Sequence, residues 1–176
     1  RGLGDVYKRQ TRATALEIGL CDRVTETAAE AVVDADLVVL CIPVGGMGDV
    51  AREIGPHLKP GATLTDVGSV KQSVIDAVAP FVPEGVEFIP GHPLAGTEHS
   101  GPRSGFAELF RNRWWILVPL PGGSDAALER LEALCRGMGA NVETMDAEHH
   151  DLVLAVTSHT PHLIAYTMVG VADDLG

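Results

Sequence analysis

An unbroken apolar run, Leu37-Val38-Val39-Leu40-Cys41-Ile42, ends at Pro43. Such a run suits a strand buried on both faces of a parallel sheet; a half-exposed strand would alternate. Similar segments predict strands at 62–67, 86–89, 114–120 and 141–144. Between them, apolar residues recur every three or four positions and predict helices over 44–58, 69–81 and 124–138. Val70, Val74, Ile75 and Val78 share one stripe of the second. Ser124 caps the third, with Leu128, Leu131, Leu134 and Cys135 facing inward. Residues 14–19 read as the end of a helix stopped by Gly19. Strands alternating with helices across short turns, such as Pro60-Gly61 and Pro121-Gly122-Gly123, predict an α/β fold with a doubly wound parallel sheet. Ligands of such sheets sit at the carboxyl ends of the strands, here Pro43-Val44, residues 66–69 and residues 90–96.

The pattern changes after Asp146. Leu152, Ala155, Val156, His159, His162, Leu163, Tyr166 and Val169 form one helical stripe, interrupted by Pro161. Proline inside a helix removes a backbone donor and clashes with the preceding turn, at about 3 kcal/mol. The helix therefore kinks there, or a second one starts with Pro161 at its first position. This divides the chain into an α/β unit at 11–145 and the start of a helical domain at 146–176. So apolar a helix needs a covering partner, expected in further chain or in a second subunit. Residues 1–10 have no clear period and no initiating Met, and they read as a segment foreign to the domain. Gly2-Leu3-Gly4 is no dinucleotide fingerprint, because no apolar strand precedes it.

Charge narrows the partners. Lys and Arg number 13 against 24 Asp and Glu, a formal net charge of −11. Such a chain repels phosphate backbones, which argues against nucleic acid, and an anionic substrate would need local cationic groups. Cys21, Cys41 and Cys135 have neither metal-like nor disulfide-like spacing and read as reduced thiols. No unbroken apolar run reaches the length of a membrane span and no leader is visible, so the expected location is cytoplasmic.

Three clusters carry candidate chemistry. Thr65-Asp66-Val67-Gly68-Ser69-Val70-Lys71 lies at a strand end, where Gly68 permits unusual backbone angles and Ser69 can cap the next helix. Alone, it reads first as a plain βα turn with a cap. In Pro90-Gly91-His92-Pro93-Leu94-Ala95-Gly96-Thr97-Glu98, a stiff backbone holds His92 at the rim. An imidazole titrating near neutrality suits a general base, although a loop histidine satisfied by backbone fits as well. Ser158-His159-Thr160-Pro161-His162 sets two histidines on one helix face. No Cys or carboxylate pattern completes a metal site there, and the adjacent His149-His150 is a similar decoy.

Together, in this order and spacing, the stretches at 68–71, 91–98 and 158–162 and the His150-Asp151 pair resemble the prephenate/arogenate dehydrogenase family, from about Thr11 onward. The resemblance implies a Rossmann-like domain binding NAD, with NADP possible, and a helical domain that completes the site and a homodimer. It implies His92 as the base and Ser69 as a bridge between that base, the substrate hydroxyl and the cofactor. His162 and His159 are implied near the substrate, with Thr97 also close. Pro43, Val44, Asp66, Gly68 and Ser69 fall on the cofactor rim. The substrate would be prephenate or arogenate. Thr160 departs from the family's usual Leu. The family's phosphate-binding loop would precede Thr11 and its carboxylate-gripping Arg would follow Gly176, so the chain alone is expected to be inactive and to bind nucleotide weakly. Two other readings remain: a 3-hydroxy acid dehydrogenase of similar architecture, and a non-catalytic nucleotide-binding regulatory module.

Overall fold

The computed structural model describes residues 3–97, 99 and 101–174, with side chains from residue 10 to residue 173. Glu98 of the His92 loop and the terminal residues 1, 2, 175 and 176 lie outside the described residues.

Strands β1 (Leu37–Leu40), β2 (Thr63–Asp66) and β3 (Glu87–Phe88) form a parallel sheet in that order. β1 and β2 pair from Leu37 with Thr63 to Leu40 with Asp66, so both carboxyl ends finish on one rim. Helices α2 (Ala28–Val32), α3 (Met47–Ile54) and α4 (Gln72–Val78) contribute to its core. Met47, Ala51 and Ile54 from α3 and Val74 and Val78 from α4 pack with Leu40, Leu64 and Phe88. Each large apolar side chain buried there contributes about 1.5–3 kcal/mol. The parallel sheet thus matches the expectation, and α2 is an addition that its five residues were too few to reveal.

The second sheet is not wholly parallel. β4 (Gly91–Pro93) runs antiparallel to β5 (Trp114–Leu117), which pairs in parallel with β6 (Asn141–Thr144). α5 (Asp125–Gly137) packs Ala127, Leu131 and Cys135 against Trp115 and Leu117. Ser124 is its N-cap, accepting from the Ala127 N–H. Leu134 is exposed rather than inward, because the buried stripe falls on Leu131 and Cys135. The segment expected to be a loop around His92 is therefore strand backbone. Gly91 makes this possible: a Cβ there would lie 2.8 Å from the Asp66 carbonyl oxygen, so β4 passes the end of β2 only without a side chain.

Helix α4 starts at Gln72, three residues later than expected, and Ser69 does not cap it. The cap is tertiary. The carboxylate of Asp151 accepts the N–H groups of Lys71 at 2.7 Å and of Gln72 at 3.0 Å. Asp151 belongs to α6 (Ala147–Leu154), which continues through one π-helical turn (Ala155–His159) into α7 (Thr160–Asp174). The π turn lies just ahead of Pro161, which falls at the second position of α7 rather than the first. Thr160 closes the turn, its N–H and its hydroxyl both donating to the Ala155 carbonyl. π turns of this kind are frequent at functional sites.

α6 buries His150 and Leu154, whereas the expected stripe of Leu152, Val156, Leu163, Tyr166 and Val169 is exposed. Taken whole, Ala147–Asp173 is long and apolar enough to cross a membrane by length and composition alone, although no unbroken apolar run within it reaches that length. At the other end, α1 (Leu3–Glu17) runs across residue 10 without a break, and Gly19 follows it with φ +69°.

Candidate active site

His92 sits in the middle of β4, paired with Ile116 of β5. Only 8% exposed, it lines a cavity of about 650 Å³. The opposite wall of that cavity is the turn around the π segment, with Leu154, Thr157, Ser158 and His162. The Pro93-Leu94-Ala95-Gly96 backbone and Phe106, Glu108, Leu109, Arg111 and Arg113 complete it.

Behind His92 lies a continuous hydrogen-bonded network, buried except at Asp151, which is half-buried. His92 Nδ1 is 2.9 Å from His150 Nε2, and His150 Nδ1 is 2.7 Å from Asp151 Oδ1. His150 is fully buried and its ring meets that of His92 edge-on, with centroids 5.1 Å apart. Lys71, also fully buried, forms an ion pair with Asp66 and donates to the Gly91 carbonyl at 2.6 Å. Asp66 further accepts the N–H groups of Gly68 at 2.7 Å and Gly91 at 3.2 Å. The ends of β2 and β4 and the start of α4 are thereby tied to one another. α6 is tied in through Asp151.

Burial sets the protonation states. Desolvation, reinforced by the charges of His150, Lys71 and His159 and opposed by Asp151, lowers the His92 pKa to about 4. Burial also lowers that of His150, against the pull of Asp151. Burial would raise the Asp151 carboxyl, but the Gln72 and Lys71 N–H groups and His150 outweigh it and hold it below the usual carboxylate range. The resulting site has two neutral imidazoles backed by an ionised carboxylate. Lys71 is lowered by desolvation, with Asp66 pulling the other way.

The remaining expected residues divide into groups. His162 reaches the cavity, its Nδ1 within 2.8 Å of the Ser158 carbonyl. His159 is exposed on the same helical segment. Thr97 is exposed and donates to the His99 carbonyl at 3.2 Å. Ser69 is exposed, and no hydrogen bond joins it to His92 in this structure. Asp66 is drawn inward, its carboxylate taken up by Lys71, Gly68 and Gly91. Pro43, Val44, Gly68 and Ser69 remain along the carboxyl ends of β1 and β2. Gly45 and Gly46, which follow Val44, leave room where a Cβ would stand, whereas a Cβ on Gly68 would come within 2.9 Å of Asp66 Oδ2 and 3.1 Å of the Val44 side chain. Such a glycine-lined rim fits close approach by a dinucleotide. Among the described residues no His, Cys, Asp and Glu group could hold a metal ion.

Sequence reading passed over Lys71, His150, Arg111 and Arg113 as site residues. The His150-Asp151 pair was visible as a motif, but not its contact with His92, which spans 58 positions. Arg-Asn-Arg ahead of the Trp114 strand was the available signal for the cationic wall.

Comparison with known proteins agrees with this arrangement. Residues 4–144 match the family described as prephenate dehydrogenase, nucleotide-binding domain. The chain is 46% identical over 159 residues to a cyclohexadienyl dehydrogenase of Zymomonas mobilis, covering 90% of this chain and 53% of that protein. It superposes with a TM-score of 0.85 on the prephenate dehydrogenase of Aquifex aeolicus in complex with hydroxyphenyl propionate and NAD+, at 30% identity, covering 93% of this chain and 57% of that one. A Synechocystis arogenate dehydrogenase superposes with a TM-score of 0.82 at 26% identity, covering 92% of this chain and 57% of that one. The chain spans about half the length of the curated relatives it matches. Matched by the family over residues 4–144 and by a 46% identical relative over 90% of its length, the chain belongs to the prephenate dehydrogenase family.

Proposed function

We propose that this chain supplies the nucleotide-binding domain and the catalytic base of an NAD-dependent dehydrogenase that oxidatively decarboxylates prephenate to 4-hydroxyphenylpyruvate or arogenate to tyrosine. The observation that carries the reading is His92, a neutral imidazole facing a cavity with His162, Arg111 and Arg113 on its walls. A base must be unprotonated at the working pH, and His92 is so held by burial. An anionic substrate needs cations in a chain of net charge −11, and the two arginines provide them locally.

The residues of the site would act as follows. Arg111 and Arg113 attract and orient substrate carboxylate. His92 accepts the proton of the ring hydroxyl as hydride leaves the carbon that bears it. Carbon dioxide is then lost and the ring becomes aromatic, which supplies the driving force. When bound, the nicotinamide of NAD, or of NADP, supplies the hydride acceptor. Pro43, Val44, Gly68 and Ser69 would hold the cofactor along the strand ends. Asp66 acts from behind this surface, by fixing the Gly68 and Gly91 backbone. Ser69 would reach the substrate hydroxyl from the rim, and Thr97 and His159 would border the bound substrate.

We assign residues 11–145 to the nucleotide-binding domain and 146–176 to the start of a helical substrate and dimerisation domain. Helix α7 supports a homodimer: Leu163, Tyr166, Met168 and Val169 are all more than 60% exposed, which invites an apolar partner. Its continuation from α6, whose His150 is locked into the α/β unit, favours burial in protein over a membrane, and a cytoplasmic location. The test is nicotinamide reduction by this chain within its full-length protein, with prephenate and with arogenate offered separately. Turnover of either supports the proposal and decides the substrate. A folded, NAD-binding protein that turns over neither contradicts it.

A further inference from the structure

We propose that His150 and Asp151 form a positioning relay that locks His92 in the tautomer with the proton on Nδ1, so that Nε2 presents its lone pair to the cavity. The inference rests on the reading of His92 as the base. The argument is one of donors and acceptors. Asp151 receives two backbone N–H groups, from Lys71 and Gln72, which favour the ionised carboxylate and help hold its pKa below the usual range, so that it acts as an acceptor. The 2.7 Å contact from its Oδ1 to His150 Nδ1 therefore requires the proton on the imidazole. A neutral His150 then has only a lone pair at Nε2, and the 2.9 Å contact to His92 Nδ1 requires His92 to be the donor there. His92 Nε2 is left as the basic atom.

The opposite assignment fails on the same grounds. With the proton on His92 Nε2, a neutral His150 would have to turn its own lone pair toward the Asp151 carboxylate. Two acceptors would then face each other at 2.7 Å in a buried site. The relay also serves the charged state. When Nε2 accepts a substrate proton, the O–H bond breaks, its electron pair stays on oxygen, and an N–H bond forms. The new imidazolium still donates from Nδ1 to His150, and the Asp151 carboxylate at the far end of the chain stabilises the positive charge.

The experiment reads the tautomer directly, without substrate or cofactor. The chain is prepared with ¹⁵N-labelled histidine, and two-bond ¹H–¹⁵N correlations are recorded at pH 7.5, with His92 assigned by comparison with His92→Gln. Wild type is expected to show His92 as a single Nδ1–H tautomer. His150→Gln should keep it, because the amide can accept from His92 and donate to Asp151. His150→Phe should move His92 toward Nε2–H, the form an unconstrained neutral side chain favours. A wild-type His92 in the Nε2–H form overturns the relay, as does an unchanged Nδ1–H form in His150→Phe or its loss in His150→Gln. If the Phe variant does not fold, the wild-type and Gln spectra decide. Because no reaction is run, failure here is separate from failure of the proposed activity, which turnover alone would reveal.

Discussion

The molecule carries two pairs of histidines under opposite conditions, and one member of each, His92 and His162, lines the same cavity. His92 of β4 and His150 of α6 are buried against each other and backed by Asp151. His159 and His162 lie on the exposed helical segment, with His162 bonded only to the helix's own Ser158 carbonyl. Burial keeps the first pair neutral, as a base requires. The second pair is free to follow whatever binds. In sequence the two motifs look equally functional, and packing is what separates them.

The sharpest way to break the buried side is to remove its counter-charge. Lys71→Met leaves Asp66 without its cation in a fully buried site, a change expected to destabilise by about 3–5 kcal/mol in urea unfolding. His92 and the β2–β4 junction should loosen together, seen as faster amide exchange at Gly91.

Acid should act on the same side. The folded-state pKa of His92 is lowered to about 4, below the unfolded value near 6.5. The unfolded chain therefore binds more protons between those values, and stability falls as pH drops from about 6.5 towards 4. Between pH 7 and pH 4.5 the linkage amounts to about 2 kcal/mol, to be read from midpoints of urea unfolding at those two values. His150, lowered in the same direction, adds to the loss.

Gly91→Ala probes the packing that seats β4. Its Cβ would come within 2.8 Å of the Asp66 carbonyl, so the strand must shift, at about 1–3 kcal/mol of overpacking strain.

The smallest effect belongs to the exposed side. Substituting His162 by Asn should change stability by less than about 0.5 kcal/mol, since the residue is exposed and its one bond is local. A loss as large as that of Lys71→Met would erase the contrast between the pairs.

The frame of the fold was legible because apolar runs and helical spacing report local periodicity. β1, β2, β5 and β6 and helix α5 follow from the residues that compose them. The exceptions were set by distant groups. α4 starts late because Asp151, 80 positions away from Lys71, supplies its cap. β4 was taken for a loop because Gly-His-Pro has no strand pattern, and its pairing is dictated by β5 and by the absence of a side chain at Gly91. In the site, His92 and His162 were legible as motif residues. Lys71 and His150 were not recognised as site residues, because what defines their roles is burial against partners remote in sequence. Asp66 was read as a rim residue from its place at a strand end, yet an aspartate flanked by two backbone donors and a lysine turns inward.

The most direct test of the account is the His92→Gln variant of the full-length protein, compared with wild type for both turnover and NAD binding. Loss of a general base is expected to lower kcat by about 10²–10⁴-fold. NAD affinity should stay unchanged, since the rim at Pro43, Val44 and Gly68 is untouched. A variant that binds NAD and retains wild-type kcat would contradict the assignment of His92 as the base.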